Sequence, residues 1–216
     1  SLEFNDLLGT ITKRSKNVNK FLKEIDWQLN VPNELKVLSP RILDYSIGKN
    51  PFIEMEYYSY PTISELWLYA SFDEAVLERV ISKTYEILLC FEKHKETVSS
   101  KSYHHIYIEK TQNRITELKS ENSKFSNLLK SDYININGVK LKNWNLLKGE
   151  IELLVPELYN ENHNCFIHGD FCFSNILFDI NSGIVRIIDP RGIWGEDRNG
   201  DIKYDIAKLR HSVNGD

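Results

Sequence analysis

One stretch of this sequence concentrates groups that can move a phosphoryl group. It reads Ile167-His168-Gly169-Asp170-Phe171-Cys172-Phe173-Ser174-Asn175-Ile176-Leu177, and Ile187-Ile188-Asp189-Pro190 follows it. A His stands two residues before an Asp, an Asn five residues after that Asp, and a second Asp fourteen residues after the Asn. Phosphoryl transfer needs a carboxylate to meet an incoming hydroxyl, and a carboxamide and a second carboxylate to hold Mg²⁺ against phosphates. Oxygen donors suit this hard cation, which takes one or two protein carboxylates and completes its shell with phosphate and water.

The surrounding pattern supplies a frame for these groups. Asn175 to Phe178 and Ile184 to Ile188 flank a turn at Asp179 to Gly183, so Asn175 opens one strand of a hairpin and Asp189 closes the other. Cys165 to Ile167 reads as a short strand and Ile202 to Leu209 as the start of a helix. Upstream, Leu7 to Thr12 is expected to be a strand, and Phe21, Leu22, Ile25 and Leu29 recur at helical spacing. Arg41 to Ile47 and Phe52 to Tyr58 form an expected antiparallel hairpin. Thr62 to Glu65 resembles a helix cap, and Phe72 to His94 is helical with Val76, Val80, Thr84, Ile87, Leu88 and Phe91 on one face. Residues 103–130 carry a further helical pattern through Ile108, Ile115, Leu118, Phe125 and Leu129. Asn137-Gly138 marks a tight hairpin, and Leu146 to Tyr159 is helical to about Pro156.

His168-Gly169-Asp170-Phe171 with Asn175, then Ile187-Ile188-Asp189, resembles the aminoglycoside phosphotransferase and choline kinase-like family of small-molecule kinases. Gly200-Asp201 with Tyr204-Asp205-Ile206-Ala207-Lys208-Leu209 is similar to that family's downstream segment. A lone His-Gly-Asp is common in loops; the joint pattern carries the resemblance. It implies an α+β, two-lobe protein kinase-like fold. A small N-terminal sheet lobe for nucleotide binding would span 1–58, and a larger, mainly helical catalytic and substrate-binding lobe 59–216. It implies Asp170 as catalytic base, His168 as support of the catalytic loop, Asn175 and Asp189 as metal ligands, and Asp205 as a brace. Lys13 and Glu24 resemble the pair that contacts the α- and β-phosphates, with Lys16, Lys20 and Lys23 as rivals for Lys13. Met55-Glu56-Tyr57-Tyr58 resembles the hinge that binds adenine through its backbone, which makes Glu56 and Tyr58 cofactor-binding candidates. The implied cofactors are ATP or GTP and Mg²⁺.

The family places a hairpin and a phosphate-covering loop before its strand Lys, whereas twelve residues precede Lys13 here. The expectation is an incomplete N-terminal lobe, with covering strands upstream of Ser1. Asp189-Pro190-Arg191 stands where a protein kinase would carry Asp-Phe-Gly, which argues against that rival. A non-catalytic nucleotide-binding module is a second rival. A metal-dependent hydrolase is a third, and it lacks convergent His and carboxylate ligands in this sequence.

Composition narrows the class further. The 216 residues are 41% hydrophobic and 27% charged, ordinary for a globular chain. The net charge of −4 speaks against nucleic acid as the main partner, and no apolar run is long enough to span a membrane. Three Cys without metal-ligand spacing suit free thiols in a reducing cytoplasm. Adjacent His104 and His105 are expected on the surface without converging. Residues 99–150, where the family builds its acceptor groove, hold nine Lys/Arg and five Asp/Glu, an excess of four positive charges. That sign leans toward a neutral or anionic acceptor, such as a sugar or sugar derivative, rather than a polycation. Phe171, Phe173 and Trp194 are candidates to stack on a sugar ring; Trp67, Tyr69, Trp144 and Tyr159 are expected in the core or a groove wall.

Overall fold

The computed structural model describes residues 1–70 and 73–214. Four short strands build an antiparallel sheet: β1 (Leu2–Asn5), β2 (Thr10–Lys13), β3 (Ile42–Ser46) and β4 (Phe52–Glu56), in spatial order β1-β2-β4-β3. The expected strand at Leu7–Thr12 is displaced. A turn spans the residues after Asn5, whose side chain accepts from the Leu8 amide at 3.1 Å, so Leu7 and Leu8 project into solvent. β1 leaves no mark in the sequence pattern, because Leu2 and Phe4 are half exposed and form no inward apolar row. Between β2 and β3 runs α1 (Val18–Leu29), capped by the Asn17 side chain on the Lys20 amide. Its apolar stripe places Phe21 and Ile25 against Ile53 and Met55 of β4, which fixes the helix on the sheet.

The chain continues through α2 (Ile63–Tyr69), whose Thr62 and Glu65 form a reciprocal capping box, into α3 (Glu74–Lys93). α3 buries Val80, Thr84, Ile87, Leu88 and Phe91 as the spacing predicts, while Val76 is only half-buried. The expected helix start at Phe72 lies outside the described residues.

By contact density the chain forms two units. One comprises Ser1–Thr97, His163–Trp194 and the residues from Arg198 onward; the other comprises Val98–Asn162 with Gly195–Asp197. The second unit holds α4 (Ser100–His104), α5 (Lys110–Glu121), α6 (Ser123–Leu128), the hairpin β5 (Tyr133–Ile136) and β6 (Val139–Lys142), and α7 (Trp144–Leu158). Asn137 and Gly138 both have positive φ, as a two-residue hairpin turn requires. The helical pattern over 103–130 is interrupted twice. Asn122 ends α5 and caps α6 through the Phe125 amide, and residues 105–109 widen into a π-helical turn. That widening overturns one expectation: His104 and His105 converge, their Nδ1 atoms lying 3.1 and 3.0 Å from the two carboxylate oxygens of Glu109. Both remain largely exposed.

Back in the first unit, β7 (Asn164–Cys165) pairs with β10 (Gly200–Asp201), and β8 (Ile176–Phe178) pairs antiparallel with β9 (Val185–Ile187). The last helix, α8 (Ile202–Asn214), starts at Ile202 and continues past Leu209, as expected. Cys90, Cys165 and Cys172 are all free, and burial pushes the Cys165 thiol up to about 12, so it is packed rather than reactive. Among the described residues no helix is long and apolar enough to cross a membrane.

Candidate active site

Two chain segments meet in the first unit: the loop from His168 to Asn175, and the end of β9. Asp205, wholly buried at the start of α8, accepts from the amides of His168 and Gly169 at 2.7 and 2.9 Å. Burial pushes its carboxyl up to about 7, against the pull of those N–H groups. His168 is buried beside it. Its Nε2 lies 3.0 Å from the Ile188 carbonyl, which can only accept, so Nε2 carries the proton and Nδ1 accepts from the Asp170 amide at 3.3 Å. Burial lowers the imidazole to about 4 and keeps it neutral. The ring therefore ties the loop before Asp170 to the strand end before Asp189.

Asp170 is half-buried, with Oδ1 2.8 Å from the ammonium of Lys208. Burial works against its charge, but Lys208 more than offsets this and holds the carboxyl below the ordinary aspartate range. Asn175 donates its Nδ2 to the backbone and side-chain oxygens of Asp170 at 2.9 and 3.3 Å. Its own carbonyl accepts from the Ile188 amide at 3.0 Å. Asn175 immediately precedes β8, and Ile176 pairs with Ile187, so Asn175 and Asp189 stand at the same end of one hairpin. Asp189 turns the chain out of β9 with φ +56, a left-handed conformation that aspartate tolerates better than most residues.

Lys13 closes the arrangement from the sheet. Its Nζ lies 2.6 Å from Glu24 of α1 and 2.7 Å from Asp189. Burial works against its charge, but the two carboxylates more than offset it and raise its pKa. Burial likewise pushes Glu24 up, with Lys13 pulling it back. Lys13, not Lys16, Lys20 or Lys23, therefore makes the ion pair with Glu24.

A cavity of about 450 Å³ opens beside this pair and is lined by Lys13, Met55, Glu56, Tyr58, Leu177 and Asp189, among others. The side chains of Glu56 and Tyr58 join through Tyr58 Oη to Glu56 Oε2 at 2.7 Å. The amides of Glu56 and Tyr57 are engaged by the carbonyls of Arg41 and Gly9. A second cavity, about 490 Å³, is lined by Asp170, Trp67, Phe173 and Lys208, among others.

Two sequence expectations fail here. Trp194 and Phe171 are fully buried, so neither presents a face to a ligand, whereas Phe173, though buried, lines the second cavity. Trp194 packs edge-on against Tyr204, and Phe171 packs between Phe91 and His168. The aromatic that reaches the surface here is Trp67, 40% exposed and backed by Phe173 at 5.7 Å between centroids. Sequence reading also misses Lys208 and Trp27. Lys208 meets Asp170 only through the docking of α8, and the indole of Trp27 reaches Ile167 through the fold alone.

The donor set fits a hard divalent cation that completes its shell with other oxygen ligands. Asn175 and Asp189 are oxygen donors at one hairpin end, and no group of three or more His, Cys, Asp or Glu among the described residues forms an all-protein metal cage. Lys13 beside Asp189 adds a point charge suited to phosphate.

The sequence matches no protein-family model and no curated protein. Its fold is similar to solved structures. One is an aminoglycoside-3′-phosphotransferase of type VIII, with TM-score 0.51, 14% identity, and coverage of 95% of this chain and 70% of that one. Another is the aminoglycoside phosphotransferase APH(3″)-Id from Streptomyces rimosus in complex with ADP and streptomycin, with TM-score 0.56, 14% identity, and coverage of 95% and 72%. The architecture of a small antiparallel sheet followed by a mainly helical remainder is thus the kinase-like α+β fold of these enzymes.

Proposed function

We propose that this chain is an ATP- or GTP-dependent phosphotransferase that phosphorylates a hydroxyl of a small metabolite: a sugar, a sugar derivative or an amino alcohol. The observation that carries this reading is the position of Lys13, held within 2.6 and 2.7 Å of Glu24 and Asp189 beside the 450 Å³ cavity. Residues 1–58 supply the nucleotide side, and 59–216 the catalytic and acceptor side.

Asp170 accepts the hydrogen bond of the acceptor hydroxyl and takes its proton as the phosphoryl group transfers. His168, neutral and fixed by Ile188, positions Asp170 through its amide. Lys13, oriented by Glu24, pairs with the α- and β-phosphates. The backbone of Glu56 and Tyr58 meets the adenine edge. Asn175 and Asp189 would hold Mg²⁺, which supplies neutralisation of phosphate charge when bound. Catalysis in this arrangement rests on positioning and electrostatics. The ADP in one structural neighbour supports the nucleotide assignment. A net charge of −4 and three free thiols support a cytoplasmic enzyme with no nucleic-acid or membrane partner.

The test is ADP release from Mg-ATP across a panel of hydroxyl acceptors. Asp170→Asn should retain nucleotide binding and lower turnover by about 10²-fold or more. Asp189→Ala should weaken Mg²⁺-dependent nucleotide binding in calorimetry. Unchanged turnover in Asp170→Asn would remove Asp170 from the role of base.

A further inference from the structure

The 490 Å³ cavity beside Asp170 falls within the ~300–1,000 Å³ range of small-ligand sites. One face of α8 builds a wall of it. Lys208, His211 and Ser212 recur at helical spacing and line the cavity, and Ser212 Oγ also accepts from the Phe173 amide at 3.1 Å. Trp67 lies across from them with its partly exposed indole. Among the described residues lining the cavity, Asp170 is the only carboxylate, and Lys208 at 2.8 Å neutralises it. A polycation entering here meets no net negative charge and must compete with an ammonium already in place. An anion meets the opposite situation: it can take Lys208 as a partner and release Asp170 to a hydroxyl.

We infer that the acceptor is an anionic polyol, a compact sugar-like molecule bearing a carboxylate or phosphate, whose anion pairs with Lys208 while a hydroxyl meets Asp170 and the ring lies on Trp67. This rests on the phosphotransferase reading for its chemistry, and on the cavity alone for its binding. Lys208 then acts as a specificity residue. The reaction balances simply: the acceptor O–H bond breaks, its oxygen bonds the γ-phosphorus, Asp170 takes the proton, and the nucleoside diphosphate leaves.

The experiment compares four six-carbon probes: glucose, glucosamine, glucuronate and glucose 6-phosphate. Binding is measured by calorimetry with Mg-ADP present, and turnover by ADP release from Mg-ATP. The expected result is that glucuronate or glucose 6-phosphate binds at least tenfold tighter than glucose, with glucosamine weakest; the two anions distinguish carboxylate from phosphate. Lys208→Gln should abolish this preference by raising the dissociation constant and KM for the anions selectively, and Lys208→Arg should restore part of it. A merely structural clamp would lower kcat for every acceptor alike and leave the preference intact, which would overturn the inference. Absence of binding by any probe, or preference for glucose or glucosamine, would also overturn it. Anion binding that depends on Lys208 without turnover would sustain the inference and sink the phosphotransferase reading. Turnover of neutral or cationic acceptors alone would do the reverse.

Discussion

The indole Nε1–H of Trp27 donates to the carbonyl oxygen of Ile167 at 2.8 Å, in the buried interior. Trp27 stands one turn beyond Glu24 on α1, and Ile167 directly precedes His168. The ring also packs against Phe166 at 4.9 Å and edge-on to His168 at 5.6 Å. The helix that orients Lys13 is therefore hydrogen-bonded to the loop that carries Asp170. The two halves of the candidate site share one buried joint, and a shift of α1 moves both.

Trp27→Phe keeps an aromatic ring in that joint but leaves the Ile167 carbonyl buried without its donor. An orphaned buried acceptor costs about 1–3 kcal/mol. The expected outcome is a loss of that size in urea denaturation. Turnover should fall further than nucleotide affinity, because the loop loses its anchor while the phosphate side remains. Wild-type stability in the variant would show that the hydrogen bond contributes nothing net.

Gly192 makes a second joint on α1, with the segment after Asp189. Its φ is +77, and a Cβ placed there would lie 2.3 Å from both the carbonyl carbon and oxygen of Lys23 and 2.5 Å from the Glu24 amide nitrogen. Only glycine allows this approach of the segment after Asp189 to the backbone of α1. Gly192→Ala must push α1 away from Asp189, and with it Glu24 from Lys13. Loss of Mg-nucleotide binding with the far-ultraviolet spectrum retained is the expected result. Normal binding would show that the segment can yield without moving the helix.

These joints explain what is legible in the sequence. His168, Asp170, Asn175 and Asp189 sit within one hairpin and its approach, so their spacing already brings them together. The capping box at Thr62 and the Asn137-Gly138 turn are equally local. Lys208 escapes such a reading because its meeting with Asp170 depends on where α8 docks, which no short-range pattern reports. Trp194 and Phe171 mislead for the same reason: proximity to Asp189 and Asp170 along the chain says nothing about which face the fold turns inward. His104 and His105 converge because residues 105–109 depart from the regular helical repeat, and nothing in their residue types announces it.

Lys13 and Glu24 combine structural and functional demands that one substitution would confuse. Their side chains are 19% and 11% exposed, so Lys13→Met leaves a buried carboxylate beside Asp189 without its counter-ion. Breaking one side of a buried pair costs about 3–5 kcal/mol, while replacing both with apolar groups is often near neutral. The expected pattern is a marked drop in stability for Lys13→Met and recovery in Lys13→Met/Glu24→Leu, with nucleotide binding lost in both. Recovery of binding in the double variant would remove Lys13 from the phosphate site. Thermal denaturation and Mg-ATP calorimetry on the same samples separate the two effects.

His168 and Asp205 give the molecule an unusual pH dependence that a single variant exposes. His168 is depressed from 6.5 to about 4, so its contribution to stability is complete above pH 6.5 and lost as pH falls toward and through 4. Asp205 is raised from 3.8 to about 7, so its contribution is complete below pH 3.8 and lost as pH rises through 7. Between about pH 4 and 6.5 the two oppose each other; from 6.5 to 8 only Asp205 still changes, and stability should decline there. Asp205→Asn removes the second contribution and, by weakening acceptance from the His168 and Gly169 amides, lowers stability throughout. Its profile should be flatter than the wild type's from pH 6.5 to 8. From pH 6.5 to 4 it should show the unmasked histidine, with a loss of up to about 3 kcal/mol at 1.36 kcal/mol per pKa unit. Urea denaturation of both proteins from pH 4 to 8 makes the comparison. Crossing slopes support the assignment; two parallel curves would show that neither buried group titrates in the folded state as its environment here requires.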